Sequence, residues 1–167
     1  MLTGILTALV VVVFDQLSKA LVYGYLSEVG HVVAVTGFFN LVSAWNRGVS
    51  FSMFNDLGQW GVFILSGFAL IVVSFLCYWL KKEKNRQMQI ALGFVIGGAV
   101  GNVIDRVRLG AVFDFLDFYV HSYHWPAFNV ADSFICIGAF LIIVNGLCHC
   151  SLNKEKKVVK VQKKEAK

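Results

Sequence analysis

The chain has 167 residues, enough for one domain; 57% of them are hydrophobic and only 15% are charged, against about 25% charged in ordinary soluble domains. That excludes a water-soluble globule, and a single proline excludes a flexible low-complexity chain. The net charge of +5 is unevenly placed: seven of the fifteen Lys and Arg lie between Lys154 and Lys167, and Lys81, Lys82, Lys84 and Arg86 crowd one short loop. Clusters of this kind flank membrane spans; a nucleic-acid surface would spread its basic groups over a folded face.

A span needs about 20 mostly apolar residues. The first candidate covers about 2–25 and is interrupted by Asp15 and Lys19. It has neither a basic n-region nor a small-residue cleavage site, so it reads as a retained helix. Residues 31–54 (HVVAVTGFFNLVSAWNRGVSFSMF) are too broken by Gly37 and Gly48 for a helix and too apolar for a free loop. They read as short strands at the membrane surface. Gly58 and Gly61 are hinge candidates at the entrance to the second span, about 60–80, which holds no charge. The third span, about 88–106, carries Gly93, Gly97 and Gly101 at four-residue spacing, a stripe that lets a helix pack closely on a neighbour. The fourth, about 131–150, opens on Asp132.

Short cytoplasmic loops collect Lys and Arg. The loop 81–87 and the C-terminal end are therefore expected inside, with the N-terminus, while 26–59 and 107–130 face outside. The expected fold is an all-α membrane protein, four transmembrane helices with a small extracytoplasmic β-platform. One membrane-embedded domain covers 1–152; a basic, disordered cytoplasmic tail covers 153–167, where it can touch anionic lipid.

Ionisable groups at membrane depth cost about 2.5–3.5 kcal/mol each on insertion scales and are functional candidates by default. Every carboxylate except Glu83, Glu155 and Glu165 falls in the outer half of this topology or beyond it. Several have plain structural explanations. Asp15 and Lys19, four apart on one helix face, can neutralise each other. Asp105 and Arg106 can brace a helix end. Asp132 can be an N-cap. Asp114 is harder to dismiss, because Ala111-Val112-Phe113-Asp114-Phe115 is an apolar frame that no surface loop requires.

Familiar hydrolytic motifs are missing: the sequence has no G-x-S-x-G and no H-E-x-x-H. His121 and His124 read as interfacial aromatics rather than metal ligands. Cys77, Cys136, Cys148 and Cys150 lie in apolar segments without zinc-site spacing and read as packing residues. What remains is a carboxylate pair. Two neighbouring aspartates share one proton. The ionised member takes a proton from water, and the neutral member donates a hydrogen bond to a peptide carbonyl, with no metal and no cofactor. Asp114 and Asp132 share the same side and level of the membrane, which is the motive for pairing them. A transporter would also bury carboxylates in a bundle, but with internal repeats, and none is present. A non-catalytic assembly factor would use the charged pairs as structural glue.

Four blocks carry a resemblance over nearly the whole chain. Asp15-Gln16-Leu17-Ser18-Lys19 resembles a D-Q-x-x-K motif. Asn46-Arg47-Gly48 with Phe51-Ser52 resembles N-x-G-x-x-F-S. Gly101-Asn102-Val103-Ile104-Asp105-Arg106, followed by Val112-Phe113-Asp114-Phe115, resembles G-N-x-x-D-R and its sequel. Pro126-Ala127-Phe128-Asn129-Val130-Ala131-Asp132-Ser133 resembles P-x-F-N-x-A-D-S. Together, in order, they are similar to the lipoprotein signal peptidase (signal peptidase II) family of aspartic membrane proteases. The resemblance implies Asp114 and Asp132 as the catalytic pair. It implies supporting or substrate-binding roles for Asp15, Lys19, Asn46, Gly48, Asn102, Asp105, Arg106, Asn129 and Ala131. The implied substrate is a diacylglyceryl-modified prolipoprotein cut just before its lipidated cysteine, in a bacterial inner membrane. Membrane lipid is the other expected partner; no nucleic acid is expected, and the chain is expected to be a monomer. Arg47, Val49 and Ser50 depart from the small residues common in the family, at positions implied to touch substrate.

Overall fold

A computed structural model describes residues 1–48 and 59–165, with side chains described over 1–48 and 60–147. The expected strand residues Phe51 and Ser52 and the hinge candidate Gly58 lie outside the described residues. In chain order the elements are α1 (Leu2–Val29), β1 (Val32–Thr36), β2 (Phe39–Asn46), α2 (Gln59–Lys82), α3 (Arg86–Leu109), β3 (Val112–Val120), β4 (Tyr123–His124) and α4 (Val130–Glu165). All four helices are long and apolar enough to cross a membrane. The chain is a multi-pass membrane protein with a small antiparallel sheet at one end, as expected.

The helices form because long apolar runs satisfy their own backbone, which a bilayer demands. Their faces divide sharply. Leu9, Val10, Phe14, Phe68, Ile71 and Phe140 are largely exposed, as side chains facing lipid must be, whereas α3 buries Ala91, Leu92 and Ile96. Helix α3 is the hub against which α1, α2 and α4 pack. Its glycine stripe faces α1: a Cβ on Gly97 would lie 2.6 Å from the Ala8 carbonyl oxygen, so only hydrogen fits. Leu76 and Leu80 of α2 close over Met88, Leu92 and Ile96 at the end away from the sheet.

The sheet order is β1-β2-β3-β4, with every neighbour antiparallel. Side chains alternate across a strand, so Phe113 and Phe115 drop into a cluster with Leu26 of α1 while Asp114, between them, points the other way. Tyr23, Trp45 and Phe113 stack edge-on or tilted at 5.2–5.8 Å and tie α1, β2 and β3 together. The sequence reading left 107–130 without strands, because two aspartates interrupt the apolar run; β3 and β4 correct that. Helix α4 also continues to Glu165, through the proposed 152/153 boundary and into a tail expected to be disordered. Extending a helix that the span has already nucleated avoids the unfavourable first turn, and Lys, Glu and Gln are good helix formers.

Candidate functional site

The site assembles where β3 meets the start of α4. Phe128 makes three backbone hydrogen bonds to this strand: its carbonyl accepts from the N–H groups of Phe115 (3.0 Å) and Leu116 (2.8 Å), and its N–H donates to the Leu116 carbonyl (3.1 Å). This short bridge holds the first turn of α4 beside Asp114, although Asp132 lies 18 positions further along the chain.

Asn129 joins the two carboxylates. Its side-chain amide donates to Asp114 Oδ1 at 2.6 Å, and its backbone N–H donates to Asp132 Oδ2 at 3.3 Å. The Asn129 Oδ1 accepts from the Asp132 N–H at 3.0 Å. The reciprocal pattern is that of a capping box, with Asn129 as N-cap and Asp132 three residues on. The N-cap reading of Asp132 therefore shifts by three: Asn129 is the cap, and Asp132 answers it. The remaining carboxylate oxygens are also satisfied. Asn46 Nδ2 donates to Asp114 Oδ2 at 3.1 Å, and Asn102 Nδ2 donates to Asp132 Oδ1 at 2.7 Å. Asp114 is 2% exposed. Burial, and after it the charge of Asp132, pushes its carboxyl up to about 7, against the opposing pull of hydrogen bonds from Asn46 and Asn129. A carboxyl held there keeps its proton in near-neutral water while a neighbour is ionised.

Behind the pair lies a buried charged group from α1 and α3. Lys19 Nζ sits 2.8 Å from both Asp15 Oδ2 and Asp105 Oδ2, and 3.2 Å from Asn102 Oδ1. The local Asp15–Lys19 pair is present as expected. Asp105 turns to Lys19 rather than to Arg106, because consecutive helical residues point about 100° apart; the Arg106 Nη2 donates to the Gly48 carbonyl at 3.4 Å. Asp15 Oδ1 accepts from the Ala131 N–H at 2.9 Å, satisfying one of the orphan donors at the start of α4. Asp15 reaches that far because Gly101 has no side chain: a Cβ there would lie 2.6 Å from Asp15 Oδ2.

All eleven residues singled out from the sequence thus fall in or beside one network. Gln16 belongs to it as well, donating to Asp105 Oδ1 at 2.8 Å; its place inside the D-Q-x-x-K block was the available signal. A second cluster was missed. Asp117, 6% exposed, accepts from Asn40 Nδ2 at 2.9 Å and pairs with His124 Nδ1 at 2.9 Å. His124 also stacks on Tyr119, so it is an anchor of the hairpin as well as an interfacial aromatic. Asn40 and Asp117 are 77 positions apart, and nothing local announces the contact. Among the described residues, no group of three or more His, Cys, Asp and Glu side chains is arranged to hold a metal ion.

Two cavities adjoin the site. One, of 610 Å³, lies between α2 and α3 and is lined by Arg47, Val62, Phe63, Ser66 and Arg106 among others. The other, of 470 Å³, lies against α4 and is lined by Trp125, Phe128, Asp132 and Cys136 among others. Both sizes suit an organic ligand.

The family model for signal peptidase (SPase) II matches residues 7–148. The chain is 47% identical over 141 residues to a lipoprotein signal peptidase of Cupriavidus necator, covering 84% of this chain and 80% of that protein. A lipoprotein signal peptidase of Pseudoalteromonas atlantica is 42% identical over 140 residues, covering 83% and 85% of the two chains. A solved bacterial membrane enzyme, determined by the in meso method at 2.3 Å resolution, superposes with a TM-score of 0.76 at 32% identity, over 90% of this chain and 91% of that one. With four spans, a sheet-capped carboxylate pair and a match across most of its length, the chain belongs to the signal peptidase II family.

Proposed function

We propose that Asp114 and Asp132 are the catalytic pair of this peptidase, and that it removes the signal peptide from diacylglyceryl-modified prolipoproteins by cutting just before the lipidated cysteine. The observation that carries the reading is the bridge through Asn129, which holds two carboxylates together while burial keeps the Asp114 proton in place to about pH 7. Asp114 then donates its proton to the scissile carbonyl oxygen as water attacks the carbonyl carbon. Asp132, ionised, takes the proton that the water gives up. As the tetrahedral intermediate collapses, Asp132 gives its proton to the cysteine nitrogen, the C–N bond breaks, and a hydroxyl of the intermediate returns its proton to Asp114, so the pair again holds one between them.

The remaining residues have supporting roles. Asn46, Asn102 and Asn129 fix the carboxylate planes. Asp15, Lys19 and Asp105 hold α1, α3 and the start of α4 in register. Arg106, donating to the Gly48 carbonyl, stands beside the pair where substrate would lie. The substrate's acyl chains stay in the bilayer while its peptide bond meets the pair, so the membrane supplies proximity without tight peptide recognition. The sheet end is the outer face of a bacterial inner membrane, both termini are cytoplasmic, and the working form is a monomer in contact with membrane lipid. Neither metal nor cofactor takes part.

The test is cleavage of a diacylglyceryl-modified prolipoprotein by purified protein in detergent with EDTA present throughout. Wild type is expected to cleave. Asp114→Asn and Asp132→Asn are each expected to lose at least about a thousandfold in kcat while remaining folded, because removing one member of a unit disables it. Near-normal turnover by either variant, or loss of wild-type activity to EDTA, overturns the assignment.

A further inference from the structure

Two buried donors near the site have no partner among the described residues. Ser66 is 9% exposed, and its Oγ makes no hydrogen bond to any described residue; the same is true of Arg106 Nε. A serine inside a helix ordinarily satisfies its hydroxyl on the carbonyl four residues back. Ser74, on the same helix and exposed, does so, donating to the Leu70 carbonyl at 2.8 Å. Ser66 does not, although it is the more buried of the two. An unpaired buried hydroxyl is a standing penalty that a ligand with an acceptor would remove.

Both residues line the 610 Å³ cavity, Ser66 from α2 and Arg106 from α3. Its other walls are mostly apolar, with Val62, Phe63 and Val107 among them, and Arg47 lines it as well. Phe63 and Val107 are 68% and 76% exposed, so these walls continue onto the lipid-facing surface. No carboxylate lines the cavity among the described residues. The chemistry suits a group with apolar chains and uncharged oxygen acceptors at their head. It is connected to the carboxylate pair through Arg106, whose guanidinium lies within electrostatic reach of Asp114 and Asp132. In a diacylglyceryl cysteine, the lipid's own oxygen acceptors are the two ester linkages of the glyceryl group, joined to the cysteine through its thioether.

We propose that this cavity seats the glyceryl diester of the substrate, and that Ser66 Oγ and Arg106 Nε donate hydrogen bonds to its ester carbonyl oxygens. Ser66 is then a specificity residue: it recognises the ester linkage of the lipid, beyond the cysteine side chain and the glyceryl carbons, and does not touch the reacting atoms. The inference rests on the proposed function, because it needs a diacylglyceryl substrate.

The experiment compares two synthetic substrates of the same peptide, one with ester-linked chains and one with ether-linked chains of equal length, which lack the carbonyls. Steady-state kinetics are measured for wild type, Ser66→Ala and Ser66→Thr. Wild type is expected to show a KM for the ether substrate about fivefold or more above that for the ester, the value of at least one neutral hydrogen bond, with kcat within twofold. Ser66→Ala is expected to raise KM for the ester about fivefold and to leave the ether KM unchanged; Ser66→Thr, which keeps the hydroxyl, is expected to restore most of the ester preference. Equal wild-type KM values for the two substrates overturn the proposal without any variant. So does an equal loss on both substrates in Ser66→Ala, which marks Ser66 as structural. Cleavage of neither substrate by wild type overturns the proposed function, and this inference with it; cleavage of both without discrimination overturns this inference alone.

Discussion

Asp114 has a side chain whose ordinary pKa lies near 4, yet its burial beside Asp132 moves that value to about 7. Between those two pH values the folded chain holds a proton that the unfolded chain has released. Stability contributed by the neutral carboxyl is therefore full below about pH 4 and is lost as pH rises through about 7. An asparagine at this position never ionises and escapes that loss. Asp114→Asn, which the proposed function expects to be inactive, should thus gain on wild type in thermal midpoint as pH rises: the difference in Tm, variant minus wild type, should be larger at pH 8 than at pH 5 by at least about 3 °C, since a domain of this size moves about 2–4 °C per kcal/mol. An unchanged difference across that range would remove the basis for a buried, proton-holding Asp114. In the proposed mechanism the same titration limits catalysis. The kcat/KM of wild type should then fall on the alkaline side with an apparent pKa close to 7, as Asp114 loses the proton that mechanism has it donate.

Elements bring these side chains together, and one missing methyl group decides how closely. Helices α1 and α3 meet along glycines, and at Gly101 the neighbour is the Asp15 carboxylate, 2.6 Å from where a Cβ would stand. Gly101→Ala should push Asp15 away from the Ala131 N–H and loosen the first turn of α4, where Asp132 sits. The expected result is a kcat lowered at least about tenfold with a destabilisation of about 1–3 kcal/mol, the usual size of an overpacking strain. Gly67 is the control. Nothing lies within 4 Å of its would-be Cβ, so Gly67→Ala should leave turnover unchanged and stabilise α2 by up to about 1 kcal/mol through helix propensity. Equal effects of the two substitutions on turnover would refute the close-approach explanation. The helices themselves were legible in the sequence because twenty apolar residues in a row have one common structural solution in a bilayer. Strand β3 was not, because its buried residues include two aspartates on opposite faces, Asp114 and Asp117, whose partners Asn46, Asn129, Asn40 and His124 come from elsewhere in the fold. Alternation could not be read until those partners were known. The carboxylate pair was legible only as two suspicious residues at one level. The Phe128 bridge that unites them is made of backbone atoms and has no sequence signature.

For the molecule as a whole, the charge pattern makes an orientation testable. Gly37 at the sheet end and Lys84 at the opposite end are both exposed. In a background with all four cysteines replaced, Gly37→Cys should react with a membrane-impermeant maleimide added to intact spheroplasts, and Lys84→Cys should react only after the membrane is broken; the reverse result would invert the proposed topology. The buried group around Lys19 bears on how such a molecule is built. Helix α1 leaves the ribosome ahead of α2, α3 and α4, and Lys19 lies 2.8 Å from Asp15 within that same helix. The two opposite charges can therefore accompany each other into the bilayer before α2, α3 or α4 exists, sparing α1 an uncompensated ion of either sign. Asp105 arrives on α3, two spans later, and reaches Lys19 only once α3 has packed on α1. One lysine can thus serve two successive stages of insertion: first as a travelling counter-ion for the newborn helix, then as the latch that α3 closes on, so that the ground behind the carboxylate pair can be laid before α4, with Asp132, has been synthesised.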